Sequence, residues 1–139
     1  MDELIVKNNK EELITINNFI KDKLTNYKFI DINYKLELEI AIEEIFINIV
    51  NHGHDTNEIT IRLAIKENPL TFIISFIDTG SKYNPLEKED PDITLEMEDR
   101  SLGGLGIFLM KKNTDNISYD YKNNKNILTI WKILEDQHE

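Results

Sequence analysis

Four polar residues in the segment "EEIFINIVNHG" have a spacing that suits chemistry. Glu44, Asn48, Asn51 and His52 stand at i, i+4, i+7 and i+8, so on a helix they form one stripe. A carboxylate one turn from a carboxamide pairs a general base with a neutral oxygen ligand of the kind Mg²⁺ takes. Taken alone, the stripe also matches a solvated helix face. A second polar group closes the apolar run "FIISFID", where Asp78 is followed at once by Thr79 and Gly80. A carboxylate there, beside a glycine that leaves room for a flat ring, can accept a hydrogen bond from an exocyclic amino group. An ordinary Asp-x-Gly turn has the same pattern. Third, "DRSLGGLGIFLMKK" gathers Gly103, Gly104 and Gly106, three of the chain's five glycines. Glycines at a helix start let backbone approach a ligand closely, and the N–H groups there suit an anion. A plain tight turn is the competing reading. A dinucleotide fingerprint does not fit, because no buried strand precedes the glycines; a P-loop fails because no glycine is followed by Lys and then Ser or Thr.

Such groups need elements to hold them. "ELIVK" suits a leading strand, and Leu13, Ile16, Ile20 and Leu24 in "KEELITINNFIKDKLTNY" keep helical spacing. "YKLELEIAIEEIFINIVNHG" reads as a helix of about twenty residues that Asp31 or Asn33 caps and Gly53 ends. "EITIRLAIK" alternates Ile59, Ile61, Leu63 and Ile65 inward, and "LTFIISFID" returns as its hairpin partner. From Thr79 to Ser101 two prolines and many charges make a long loop. "LGIFLMKKNTD" reads as a short helix, and "NISYDYKNNKNILTIWKIL" as a second hairpin in which Tyr119, Tyr121 and Trp131 pack across strands. The expected fold is a single α+β domain over residues 1–139: a two-layer sandwich, helices on one face of a mainly antiparallel mixed sheet.

Composition narrows the partners. A net charge of −10, from 26 acidic and 16 basic residues, disfavours nucleic acid and anionic membrane surfaces. With no cysteine there are no disulfides or thiolate-held zinc, and "HGHD" is better described as a helix end and turn than as a metal site. "MDELIVKNNKEEL" does not read as a signal peptide, so the expected location is cytoplasmic.

In combination the motifs are far more specific. The helix "EEIFINIVNHG", the strand-ending "DTGSKYNP", the loop and "RSLGGLGIFLMKK", in that order, resemble the N, G1 and G2 boxes of the GHKL ATPase family. Within it the chain is most similar to the anti-sigma-factor serine/threonine kinases of the RsbW and SpoIIAB type. The resemblance implies a Bergerat-type fold that binds ATP and Mg²⁺. It gives Glu44 the part of catalytic base and Asn48 that of magnesium ligand, with His52 one turn on. Asp78 takes the adenine amino group, with Gly80 beneath the ring. Gly104 and Gly106, with Gly103 and Leu105 in the same segment, lie at the phosphates, and Arg100 near them. Thr129 in "NILTIWK" takes the part of the last-strand threonine that supports the aspartate, although "YKNNKN" replaces the glycine-bearing turn usual before it. The loop from about Ser81 to Leu102 becomes the lid.

The implied activity is transfer of the ATP γ-phosphoryl to a Ser or Thr of an anti-anti-sigma (STAS-type) partner, with sequestration of a sigma factor as a second role and a homodimer as the assembly. The alternative is a nucleotide-dependent switch that binds partners with little or no kinase activity. For this chain alone a sensor histidine kinase is not the expected reading, since no histidine precedes the N box.

Overall fold

The computed structural model of the chain describes residues 2–53, 55–87 and 102–136. Alternating apolar residues put Glu58–Lys66 (β2) and Thr71–Asp78 (β3) into an antiparallel hairpin. Ile59, Ile61 and Leu63 are buried, while Ile65 is partly so. Asp2–Lys7 (β1) pairs with β2. Asn116–Lys122 (β4) and Lys125–Ile133 (β5) form the second hairpin, and β5 pairs with β3. The sheet order is β1-β2-β3-β5-β4. Every pairing among the described residues is antiparallel, so the sheet is not mixed. The turn between β4 and β5 places Asn123 and Asn124 at φ of 54° and 61°. Two residues of positive φ match the twist of the flanking strands, and Asn tolerates that region.

One sheet face carries the helices. After a 3-10 turn at Lys10–Glu12, Leu13–Leu24 (α1) buries Ile16, Ile20 and Leu24, as their spacing requires. Ile32–His52 (α2) starts where the Asp31 side chain accepts the Asn33 N–H at 2.8 Å, a cap worth about 1 kcal/mol. Its buried stripe is Leu38, Ala41, Ile42, Ile45 and Phe46. These share one core with Phe72, Ile74 and Phe76 of β3. At its end Gly53 has φ of −94°, outside the left-handed region. A Cβ there would stand 2.8 Å from the Ile49 carbonyl oxygen, so close approach of backbone is what calls for glycine. Leu102–Lys112 (α3) starts three residues earlier than "LGIFLMKK" suggests, packs on α2 and buries Ile107 and Met110. The result is a two-layer α+β sandwich. Among the described residues no helix is long and apolar enough to cross a membrane.

The aromatic stripe of the second hairpin divides between faces. Tyr119 and Tyr121 stand opposite Leu128 and Asn126, whereas Trp131 stands opposite Asn116. Residues of opposite parity on antiparallel strands point to opposite sides of the sheet. Tyr119 therefore sits with the helices and Trp131 on the open face.

Candidate functional site

Burying a carboxylate demands partners, and Asp78, at the end of β3, is only 8% exposed. Its Oδ1 accepts the Gly80 N–H at 3.0 Å and the Asn126 Nδ2–H at 3.0 Å. Asn126 lies directly across the β3–β5 ladder from Asp78. Its amide nitrogen also donates to the carbonyls of Gly80 (3.2 Å) and Ser81 (3.0 Å), and its oxygen accepts the Tyr83 N–H (3.1 Å) and the Tyr119 hydroxyl. Nothing among the described residues donates to Asp78 Oδ2. Asp78 and Asn126 line a small pocket with Asn48, His52, Tyr83 and Tyr119. It encloses about 30 Å³, room for one or two waters.

Tyr83 explains the small volume. Its ring stacks on His52 with centroids 4.4 Å apart and planes 23° apart, and its hydroxyl is buried with no hydrogen-bond partner among the described residues. The chain leading to it is pinned: Ser81 donates through its N–H and its Oγ to Asp55, the latter at 2.6 Å. A Cβ on Gly80 would stand 2.9 Å from Asp55 Oδ1 and 3.2 Å from Asp78 Oδ1, so this turn has room for no other residue without a shift.

A second cleft, of about 280 Å³, lies between α2 and α3 and is lined in part by Glu44, Asn48, Asn51, His52, Leu105 and Gly106. Asn48 and His52 line both spaces, so the two adjoin. A Cβ on Gly106 would stand 2.8 Å from Glu44 Oε2. Glycine there lets α3 pass against the Glu44 carboxylate. Three glycines in the first turns of a helix cost about 1 kcal/mol each, which the packing of α3 on α2 must offset. Burial raises the Glu44 carboxyl above its usual value of 4.5, and the neighbouring Glu43 charge adds to the rise.

The structure thus brings Glu44, Asn48, His52, Leu105 and Gly106 to one cleft, and Asn48, His52 and Asp78 to the adjoining pocket. Gly80 lies at the pocket's edge through its bond to Asp78. Gly103 and Gly104 lie in the first turn of α3. Arg100 and residues 88–101 of the lid lie outside the described residues. Thr129 is a correction: it stands opposite Ser75, and the two hydroxyls are 2.9 Å apart. It is three residues from Asn126 on the same strand, hence on the other face of the sheet from Asp78. Asn126 does the supporting instead. Asn126, Tyr83 and Tyr119 are pocket residues that motif reading missed.

The arrangement is an open antiparallel sheet with a strand-end aspartate beside a helix bearing a Glu-x-x-x-Asn pair. The chain belongs to the histidine kinase-like ATPase domain family, whose match covers residues 6–132. It is 28% identical over 110 residues to the serine-protein kinase RsbW of Listeria monocytogenes serotype 4a, covering 74% of this chain and 69% of that protein. It is 26% identical over 100 residues to the serine/threonine-protein kinase BtrW of Bordetella bronchiseptica, covering 69% of this chain and 68% of that one. In fold it resembles the RsbU and RsbW domains of Rv1364c from Mycobacterium tuberculosis, with a TM-score of 0.64, 14% identity and 96% of this chain covered. That match spans only 33% of the larger protein. The catalytic domain of the histidine kinase ThkA shares the fold at a TM-score of 0.51 and 13% identity, covering 96% of this chain and 98% of that domain.

Proposed function

We propose that the protein is an ATP-dependent serine/threonine kinase whose substrate is an anti-anti-sigma, STAS-type protein, and that it also holds a sigma factor. The observation that carries this reading is the Glu44 carboxylate beside Gly106, in a cleft that shares Asn48 and His52 with the Asp78 pocket. A pure binding module has no use for a half-buried carboxylate at that point.

The residues present fit the nucleotide and its metal. Asp78 keeps one acceptor, Oδ2, for a base amino group. Asn48 would hold Mg²⁺ through its carboxamide oxygen, a hard neutral ligand. When bound, Mg²⁺ supplies charge neutralisation at the phosphates. Gly103, Gly104, Leu105 and Gly106 would present backbone to those phosphates, and Arg100 would add a positive charge. Tyr83 must swing off His52 for a purine to enter, because the pocket as it stands, about 30 Å³, has room for no more than one or two waters. Glu44 would take the proton of the attacking Ser or Thr hydroxyl. Its raised carboxyl brings it closer to neutral pH, which improves a base. We place the protein in the cytoplasm, as a homodimer.

Two results follow. In Asn48→Ala, nucleotide affinity should lose its dependence on added Mg²⁺, since the ligand oxygen is gone; titrations with and without the metal read this out. The activity itself is tested by recovering bound proteins from the native host and incubating them with the wild-type chain and γ-labelled ATP. Label on a Ser or Thr of a recovered protein is the expected result. If none is labelled, the nucleotide-dependent binding switch becomes the better reading.

A further inference from the structure

The bonding around Asp78 is unequal, and the inequality bears on which base the pocket takes. A carboxylate offers about four lone-pair sites, two on each oxygen. On Oδ1 both are filled, by Gly80 N and Asn126 Nδ2, each at 3.0 Å. Asn126 cannot be turned the other way. Its nitrogen faces three acceptors, Asp78 Oδ1 and the carbonyls of Gly80 and Ser81, and its oxygen faces two donors, Tyr83 N–H and the Tyr119 hydroxyl. A flipped amide would set oxygen against three oxygens. Asn126 is 7% exposed, and its bonds to Asp78 and to the Gly80 carbonyl are buried.

We propose that Asn126 is a specificity-determining residue that selects adenine over guanine by keeping Asp78 Oδ1 occupied. The proposal rests on the reading of this pocket as the purine site. Adenine presents one exocyclic amino donor, which the single remaining oxygen, Oδ2, accepts. Guanine presents its N1–H and its 2-amino group side by side, a pair that matches a carboxylate with both oxygens open. Here only one of the two donors finds an acceptor, and the other is buried unpaired, a large penalty in a closed site. Turned the other way, guanine points its O6 acceptor at the carboxylate. Without the Asn126 amide, one site on Oδ1 opens and the two-donor edge of guanine gains a partner.

The test is the ratio of ATP to GTP affinity, measured by calorimetry on the full chain. The wild type should prefer ATP, and Asn126→Ala should narrow that preference about tenfold or more. Asn126→Thr, which keeps a hydroxyl donor on the same strand face, should restore most of it. A merely structural role would weaken both nucleotides alike and leave the ratio unchanged, which would overturn the proposal. Inosine triphosphate gives a second reading that needs no variant to fold. It has the N1–H of guanine without the 2-amino group, so the wild type should bind it no more weakly than GTP. Clearly tighter binding of GTP than of inosine triphosphate would mean that Asp78 accepts two donors, and would overturn the proposal. Failure of the wild type to bind ATP at all would overturn the purine-site reading and this proposal with it, whereas ATP binding with an unchanged ratio in Asn126→Ala overturns this proposal alone.

Discussion

Glu44→Ala is expected to bind MgATP nearly as well as the wild type and to phosphorylate the partner roughly 10²–10⁴-fold more slowly. Phosphoryl transfer depends mostly on positioning and charge stabilisation, which the variant keeps; the loss is the base that takes the hydroxyl proton. The pH profile sharpens the point. A base works ionised, and burial raises the Glu44 carboxyl above its usual value. The wild-type rate should therefore fall as pH drops through a value higher than the ordinary glutamate range, and Glu44→Ala should lack that acid limb. Rapid-quench measurement of transfer across pH checks both parts. Wild-type rates in Glu44→Ala would remove Glu44 as the base.

The second large effect is on the fold that aligns the site. Phe46 is fully buried, on the same helix as Glu44 and Asn48 and two residues from each. Phe46→Ala removes the side chain that holds α2 on the sheet and leaves a cavity, at a cost of about 3–5 kcal/mol. Against a total stability of about 5–15 kcal/mol, that is enough to lower the melting temperature by about 10 °C or more. Ile14→Ala, at a side chain 67% exposed on α1, should change stability by less than about 0.5 kcal/mol. Thermal melts of the two variants beside the wild type give the comparison. Equal melting temperatures would mean that Phe46 does not anchor α2.

The parts legible in the sequence were those with one dominant period. Ile16, Ile20 and Leu24 fall on one helix face, and Ile59, Ile61 and Leu63 on one strand face, so the elements follow directly. In β5 both faces are apolar: Leu128 and Ile130 alternate with Ile127 and Trp131. The pattern therefore does not say which parity faces the helices, and nothing in it warns that the resemblance-based part of Thr129 falls on the face away from Asp78. The register that pairs Asn126 with Asp78 depends on the Asn123–Asn124 turn and on β5 lying beside β3, neither of which is local information. Tyr83 belongs to a charged, aperiodic segment, so nothing in its neighbourhood marks it as stacking on His52. The sequence puts Gly106 inside the helix "LGIFLMKKNTD" but leaves Gly103 and Gly104 before it; α3 starts at Leu102, so all three lie within it, and the missing side chain of Gly106 lets α3 pass Glu44.

ATP binding through Asp78 underlies every functional expectation, and calorimetric titration of MgATP into the wild type and Asp78→Asn tests it most directly. An Asn at this position must turn its oxygen toward the donors of Gly80 and Asn126, which leaves its amino group facing the amino group of adenine. The wild type should bind MgATP, and the variant should bind it more weakly by about 1–3 kcal/mol, roughly 5- to 150-fold. Equal affinities, or no binding heat from the folded wild type, would contradict the assignment.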